Sequence, residues 1–435
     1  MSRSLARKAH KGSLTGAILL IAGSCIGAGM LALPIVTGIA GFYPSALMFV
    51  LCWLFMTSTG LLLLEVNLWY GTSINIVSLS QRTLGPIGKV LSWGLFLFLF
   101  YSINVAYVSA TSALFADFFR GTFGIELPRT VGSALCVLIF GGIVYLGTHA
   151  VDKCNRLLMA GLIAAYALLI SLGSSHVQSS YLVYTDWKYS LLGIPVMIIS
   201  FGFHNMIPSI TSYLNGDAKQ LRIAFIAGSA IPLVVYVLWQ LVILGIVPVQ
   251  GGNGFIQALQ DDSFATETLQ MVVGSAWVGS VAQYFAFFAI TTSFLGQSLS
   301  LVDFIADGLK GKLKKESPLG RLALCALALL PSLAITLSYP HIFLIALGYA
   351  GAFGAVILFG LMPALMVWKG RYKMGFTHQQ IMPGGRLTLS LVMCFAIAVI
   401  LLQLGKTTGM SYFQSPAPKV ISNLVFNGVE GVEKW

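Results

Sequence analysis

The sequence predicts an all-α polytopic membrane protein of eleven transmembrane helices, and three observations predict it. Of 435 residues, 57% are hydrophobic and only 9% are charged, whereas a soluble domain carries about 25% charged residues. The apolar residues form continuous runs of about twenty, the length that crosses a hydrocarbon core, as in 47–64 and 223–247. Lys and Arg collect in alternate loops between those runs. Soluble enzyme, disordered chain and fibrous repeat are excluded, because too little polar surface exists to cover so much apolar area. The runs also lack the period-two alternation of a transmembrane β-barrel.

Turn-rich breaks divide the chain into apolar segments at 13–40, 43–69, 90–116, 130–148, 155–174, 188–214, 223–247, 273–300, 320–338, 341–368 and 386–408. With the N-terminus inside, only Arg120, Arg129, Lys188, Lys406, Lys419 and Lys434 fall outside, and the other nineteen of the 25 Lys and Arg fall inside. That asymmetry orients the protein with a cytoplasmic N-terminus. The implied layout is a cytoplasmic tail over 1–12, a five-helix repeat over 13–174, a second over 188–368, an eleventh helix over 386–408, and a periplasmic tail over 409–435. The apolar run after the basic N-terminal residues Arg3, Arg7, Lys8 and Lys11 is too long for a signal peptide, so it reads as a retained first span.

The net charge of +11 is a topology signal here, and no basic cluster interleaved with aromatics suggests a nucleic acid. The longest basic stretch, 310–315, reads as an inside loop. The six cysteines form no CxxC pair, and no His or Asp stands at metal-ligand spacing. No metal and no cofactor are expected.

Two segments break the helical rules. The first reads Ile21-Ala-Gly23-Ser24-Cys-Ile-Gly27-Ala28-Gly29-Met-Leu-Ala-Leu-Pro34. The sixth reads Ser200-Phe-Gly202-Phe203-His204-Asn205-Met-Ile-Pro208-Ser209. Gly23-xxx-Gly27 is also a small-residue packing motif, which is the bland alternative. Both breaks lie at mid-span and five spans apart, the pattern of a 5+5 inverted repeat whose interrupted helices frame a substrate site. Broken backbone in hydrocarbon must face protein, water or a ligand. Half-helix N-termini suit an anionic group and freed carbonyls a cation, so an amino acid zwitterion fits.

Several stretches are similar to the bacterial hydroxy/aromatic amino acid permease family. They are Gly27-Ala-Gly-Met-Leu-Ala-Leu-Pro34, Leu61-Leu-Leu-Leu-Glu65-Val66, Ser200-Phe-Gly-Phe-His204, Pro208-Ser209-Ile210, Gly228-Ser-Ala-Ile-Pro-Leu233, Thr292-Ser-Phe-Leu-Gly296, Ala346-Leu-Gly-Tyr-Ala-Gly351 and Gly384-Gly-Arg386. The match covers about 13–405. The resemblance implies the amino acid–polyamine–organocation superfamily and the leucine-transporter-like fold with one extra C-terminal helix. It also implies proton-coupled uptake of an aromatic amino acid, tyrosine foremost and tryptophan next, across the inner membrane. Two departures stand out: Asn205 where a small residue is expected, and the tail after Thr407.

Candidate residues follow. The substrate carboxylate is expected at the N–H groups of Gly27, Ala28 and Gly29, where glycine permits close approach, beside Gly23. The ammonium is expected at carbonyls near Ala22 or Phe201, Gly202 and Phe203. By analogy with the fold, Tyr101 or Tyr107 on the third span contacts the carboxylate, with Asn104 adjacent; the alternative is a buried tyrosine with a satisfied hydroxyl. Phe201, Phe203 and Tyr349 are candidates for the ring pocket. His204, in the broken helix, is the first candidate for proton coupling or substrate contact, because imidazole titrates near neutrality and is tolerated uncharged in a membrane. Glu65 is the second: it carries the coupled proton or ties span 2 to the broken helix of span 6, since a buried carboxylate needs a proton or a partner; snorkelling to the interface, with Tyr70 five residues on, is the alternative. Thr291, Thr292 and Ser293 match the place where sodium-coupled members of the fold hold a cation, which leaves sodium open beside the proton; ordinary back-bonding to helix carbonyls is the alternative.

No P-loop or soluble domain exists to house ATP chemistry, which points to an ion gradient. A membrane enzyme is the rival class. The nearest polar group is His149 with Asp152, where Lys153 and Arg156 suggest an ion pair in a loop instead. A channel would show repeated rings of polar residues, and none repeats here.

Overall fold

The computed structural model describes residues 12–71, 74–309, 313, 317–376 and 380–408. The two tails and most of the basic 310–315 stretch lie outside the described residues. In chain order the helices are α1 (Leu14–Cys25), α2 (Gly29–Gly38), α3 (Phe42–Tyr70), α4 (Ile76–Leu84), α5 (Pro86–Phe123), α6 (Arg129–Leu146), α7 (Thr148–Ser174), α8 (Ser179–Val183) and α9 (Ile194–Ser200). They continue with α10 (Ile207–Tyr213), α11 (Ala218–Ile246), α12 (Phe255–Gln260), α13 (Ala265–Val273), α14 (Ala276–Gly308), α15 (Pro318–Ser338), α16 (Phe343–Tyr349), α17 (Met362–Lys373) and α18 (Gly385–Thr407). A π-helical stretch, Ala350–Leu361, joins α16 to α17, so these three make one long span, Phe343–Lys373.

Among the described residues ten helices are long and apolar enough to cross a membrane, and the bent pair α1–α2 makes eleven. The first span turns by 57° between Cys25 and Gly29. The sixth is interrupted between α9 and α10, with a single 3₁₀ turn over His204–Met206. Both interruptions fall in the two stretches that the Gly, Ser and Pro pattern singles out.

Successive spans alternate in direction. The face where α1 begins is here the near face and the opposite one the far face. α5, α7 and α11 run from near to far, and α3, α14 and the α16–α17 span run back. Short helices α12 and α13 occupy the hydrophilic 248–272 stretch on the far side, a structure that hydropathy alone does not reveal. α7 begins at Thr148 rather than near 155, so His149 to Arg156 is helix and not loop. Asp152 and Arg156 form an exposed i, i+4 pair on it, at 2.9 Å.

Prolines inside the spans free backbone carbonyls, and neighbouring side chains take them. Pro34 has no N–H for the carbonyl four residues back, and Trp239 Nε1 donates to that carbonyl, Met30 O, at 2.8 Å. Pro331 likewise frees Leu327 O, to which the Tyr101 hydroxyl donates at 2.7 Å. These bonds fix α11 against α2 and α5 against α15. Close approach elsewhere depends on missing side chains. A Cβ at Gly60 would lie 2.6 Å from the Phe203 ring, so this glycine lets α3 pack directly against the break in the sixth span.

Candidate substrate site

The two breaks meet. The Tyr236 hydroxyl, on α11, lies 2.7 Å from Cys25 O and 2.9 Å from Ser200 O, the terminal carbonyls of α1 and α9. A cavity of about 120 Å³ opens beside them, of the order that admits a benzene ring in an engineered core (about 150 Å³). Its polar end is formed by Ser24, Gly27, Ala28, Gly29, Tyr107 and Ser293. Its apolar end is formed mainly by Phe96, Phe100, Ile103, Leu347 and Phe359. Ser24 and Asn205 at the mouth are exposed, whereas every residue from Met30 to Ala40 is buried. The cavity therefore communicates with the near face and is sealed toward the far one.

At the polar end the Ala28 N–H donates to Ser293 Oγ at 3.0 Å, and Ser293 also meets the Tyr107 hydroxyl. A Cβ at Gly27 would fall on Ser293 Oγ, and one at Gly29 would lie 2.5 Å from Ser200 Oγ. The glycines thus admit hydroxyls and a ligand to the backbone. The Gly27 and Gly29 N–H groups make no hydrogen bond among the described residues. They open α2, whose N-terminus carries a partial positive charge, while the C-termini of α1 and α9 present partial negative charge. The arrangement can hold a carboxylate and an ammonium a few ångströms apart.

The cavity brings together Gly27, Ala28, Gly29, Tyr107 and Gly202 from the candidate substrate residues, and Ser293 from the candidate cation site. The others lie elsewhere. Ala22 is buried within α1, and Gly23 is clear of neighbours on the same helix. Tyr101 is engaged by Leu327. Asn104 accepts from Ser298 at 3.0 Å. Phe201 packs on Phe49 and Tyr236, and Tyr349 stacks on Phe353. Thr292 back-bonds to Phe288 O and Ala289 O, and Thr291 is buried with no partner for its hydroxyl among the described residues.

His204 stands one layer behind the cavity. Its ring is stacked between Phe203 and Phe359, with centroids 4.9 and 4.8 Å away, and Phe359 separates it from the cavity. Nε2 lies 2.9 Å from Thr59 Oγ1. Thr59 gives its own proton to Met56 O at 3.1 Å, which leaves Nε2–H as donor and Nδ1 as a bare acceptor. Nδ1 is buried without a partner among the described residues.

Glu65 is a fully buried carboxylate in a complete hydrogen-bond shell. It accepts from Arg371 Nε and Nη2, both at 2.7 Å, and from the Ile381 and Met382 N–H groups at 2.8 and 3.3 Å. It ties α3 to α17 and to the approach of α18. That geometry ties span 2 to the tenth span and not to the broken helix of span 6, where a tether was expected, because the charged partner is Arg371 on α17. Arg371, in a basic loop-end cluster, carries no sequence signal that names Glu65 as its partner.

On the far side a group of titratable residues holds the α12–α13 hairpin. Asp262 accepts the N–H groups of Phe343 and Leu344, each at 2.8 Å, at the start of α16. Burial pushes its carboxyl up to about 6 in spite of those bonds. Glu267 accepts from Phe264 N at 3.1 Å, and burial, with Asp117 nearby, pushes it up to about 7. Arg129 opposes both shifts. Burial holds His341 below the usual imidazole range.

Sequence reasoning missed Phe96, Phe100, Phe359 and Gln297 as cavity residues. No motif marks them: they come from three unbroken spans, the third, eighth and tenth, and become neighbours only through helix packing.

The sequence is similar to known proteins over most of its length. The tryptophan/tyrosine permease family model matches residues 10–403. A tyrosine-specific transport system of Haemophilus influenzae is 34% identical over 88% of this chain and 94% of its own length. A tryptophan-specific transport protein of the same organism is 32% identical over 91% and 97%. A low affinity tryptophan permease of Escherichia coli is 29% identical over 89% and 94%. The chain belongs to the tryptophan/tyrosine permease family.

Proposed function

We propose that this protein is a secondary active transporter that imports an aromatic amino acid, tyrosine foremost, across the bacterial inner membrane by proton symport. The observation that carries the reading is the cavity between two interrupted helices, polar at the backbone break and aromatic beyond it. The substrate carboxylate meets the N–H groups at Gly27 and Gly29 with Ser293 and Tyr107 beside it. The ammonium faces the carbonyl ends of α1 and α9. The ring lies between Phe96 and Phe100 on one side and Phe359 on the other, where offset or edge contacts suit an aromatic partner.

The two breaks open the halves of a 5+5 inverted repeat of the leucine-transporter-like kind, with α18 as the additional helix. The near face is cytoplasmic, as the Lys and Arg distribution supports, so the open mouth is the inward-facing state. His204 is the proton carrier. Its free Nδ1 sits behind Phe359, so protonation acts on the ring wall and not by direct contact with substrate. The relatives named for tyrosine and for tryptophan support the aromatic class.

The test is uptake of labelled tyrosine into proteoliposomes, with tryptophan and phenylalanine as competitors, under an imposed proton gradient and then a sodium gradient. Uphill accumulation with protons alone is expected. Accumulation that requires sodium overturns proton coupling, and failure of all three amino acids to enter or compete overturns the aromatic reading. An enzyme would show no saturable accumulation and a channel no uphill transport.

A further inference from the structure

Ten side chains among the described residues hold a buried nitrogen or oxygen without a hydrogen-bond partner. Only one of them, Gln297, lines the cavity. Its unpartnered atom is Nε2, a donor. A buried amide donor left unpaired is a standing cost to the fold, and such groups are retained where something else completes them.

Position says what completes it. Gln297 stands four residues beyond Ser293 on α14, hence on the same face and about 6 Å nearer the near face. Along α5 the cavity descends in the same direction from Tyr107 to Phe100 and Phe96. Ser293 and Tyr107 mark the level of the backbone break, where the zwitterion binds. Gln297 therefore lies at the level of the far edge of a substrate ring, since one helical turn is comparable with the distance from the Cα of tyrosine to its hydroxyl. The neighbours at that depth are apolar: Phe96, Leu99, Phe100 and Phe359. Asn205 is the other amide of the cavity, but it is exposed at the mouth, where water competes for it.

We propose that Gln297 is a specificity-determining residue whose Nε2–H donates to the oxygen of a phenolic hydroxyl on the substrate ring. The inference rests on the aromatic amino acid reading of the cavity. An indole N–H offers no acceptor to this donor, and a phenyl ring leaves it dry. A site built around a buried donor rejects an analogue that lacks the acceptor more strongly than an apolar pocket rejects a size change.

The experiment compares kcat/KM for tyrosine, tryptophan and phenylalanine in proteoliposomes holding the wild type, Gln297→Met and Gln297→Asn. Gln297→Met is expected to lower the tyrosine-to-phenylalanine ratio about 10-fold, the value of one lost hydrogen bond, with phenylalanine uptake little changed. Gln297→Asn, which keeps the amide on a shorter stem, is expected to restore part of the ratio. A ratio unchanged within twofold, or an equal loss for all three substrates, overturns the proposal while leaving the transport reading intact. A wild type that takes up none of the three overturns that reading and this inference with it. If the variants do not fold, thermal stabilisation of the purified wild type by tyrosine and by 4-methylphenylalanine decides: the methyl analogue is the same shape without the acceptor. It is expected to bind about 10-fold more weakly, and equal binding overturns the proposal.

Discussion

Replacing either member of the Glu65–Arg371 pair tests whether the near side of the bundle is held by this ion pair. The two side chains are 0% and 3% exposed, so no water compensates a widowed charge. Glu65→Leu leaves the guanidinium buried without its counter-charge, which costs about 3–5 kcal/mol. Arg371→Met leaves the carboxylate with only the Ile381 and Met382 N–H groups, and a cost in the same range follows. The double variant Glu65→Leu with Arg371→Met removes both charges. It orphans the two backbone donors and Met382 O, to which Arg371 Nη2 also donates, and loses about 1–3 kcal/mol. The coupling energy between the sites is then at least about 3 kcal/mol, well above the few tenths expected of independent positions. Unfolding of the four purified proteins in detergent, read as a double-mutant cycle, measures it. Singles that lose less than about 1 kcal/mol, or losses that simply add, refute the tethering role and reopen Glu65 as a mobile proton site.

Three more outcomes follow from the geometry. Folding raises the Asp262 carboxyl from 3.8 to about 6, so the folded protein holds that proton more tightly than the unfolded chain. Its contribution, about 3 kcal/mol, is present below about pH 4 and is lost as pH rises through about 6. Asp262→Asn, measured by thermal unfolding across that range, is expected to flatten the profile, and an unchanged slope rules the residue out as its source. Phe359→Ala removes one wall of the cavity and the ring that covers His204, and is expected to raise the KM for tyrosine about 10-fold, from lost aromatic contact of about 1 kcal/mol and poorer ring orientation; an unchanged KM places the substrate ring elsewhere. His204→Gln keeps a partner for Thr59 but cannot carry a proton. It is expected to abolish proton-driven accumulation while tyrosine exchange across the membrane persists, and uphill uptake in that variant removes His204 from coupling.

The sequence made the spans legible because a bilayer imposes one rule, about twenty apolar residues with loops biased in charge. The two breaks were legible for the same reason. Gly27 to Gly29 and Gly202 to Pro208 violate a rule that has few exceptions in hydrocarbon. Polar residues were read less well, because type and depth do not give direction. Tyr101 and Tyr107 are six residues apart on one helix, and only packing sends the first to the carbonyl freed by Pro331 and the second to Ser293. Phe201 and Phe203 lie in the break yet point into the core, whereas Phe96 and Phe100, in an unbroken helix, form the cavity wall. The partner of Glu65 is 306 residues away in sequence, and no local pattern encodes such a pair. α12 and α13 escape hydropathy because they need only cover the far side, not cross the membrane.

The interrupted helices persist because most of their exposed backbone is already spoken for. Tyr236 occupies the terminal carbonyls of both breaks, Trp239 the carbonyl that Pro34 frees, and Ser293 the Ala28 N–H. Each such group left bare in hydrocarbon would cost several kcal/mol. Three of these four contacts reach carbonyls, and all three come from two aromatic side chains on one helix, α11, the single Tyr236 proton being shared between Cys25 O and Ser200 O. On the α2 side of the first break, the N–H groups of Gly27 and Gly29 are left unpaired among the described residues. In the open state water reaches them through the mouth at Ser24 and Asn205. A closure that expelled the water without supplying an acceptor would bury them dry. In the transport mechanism proposed above, a bound carboxylate removes that penalty, so the backbone groups proposed to select an anionic head would also make closure of the empty carrier unfavourable. The physical link between occupancy and movement therefore needs no separate sensor: it lies in which polar groups of the break the surrounding helices satisfy and which they leave for the substrate.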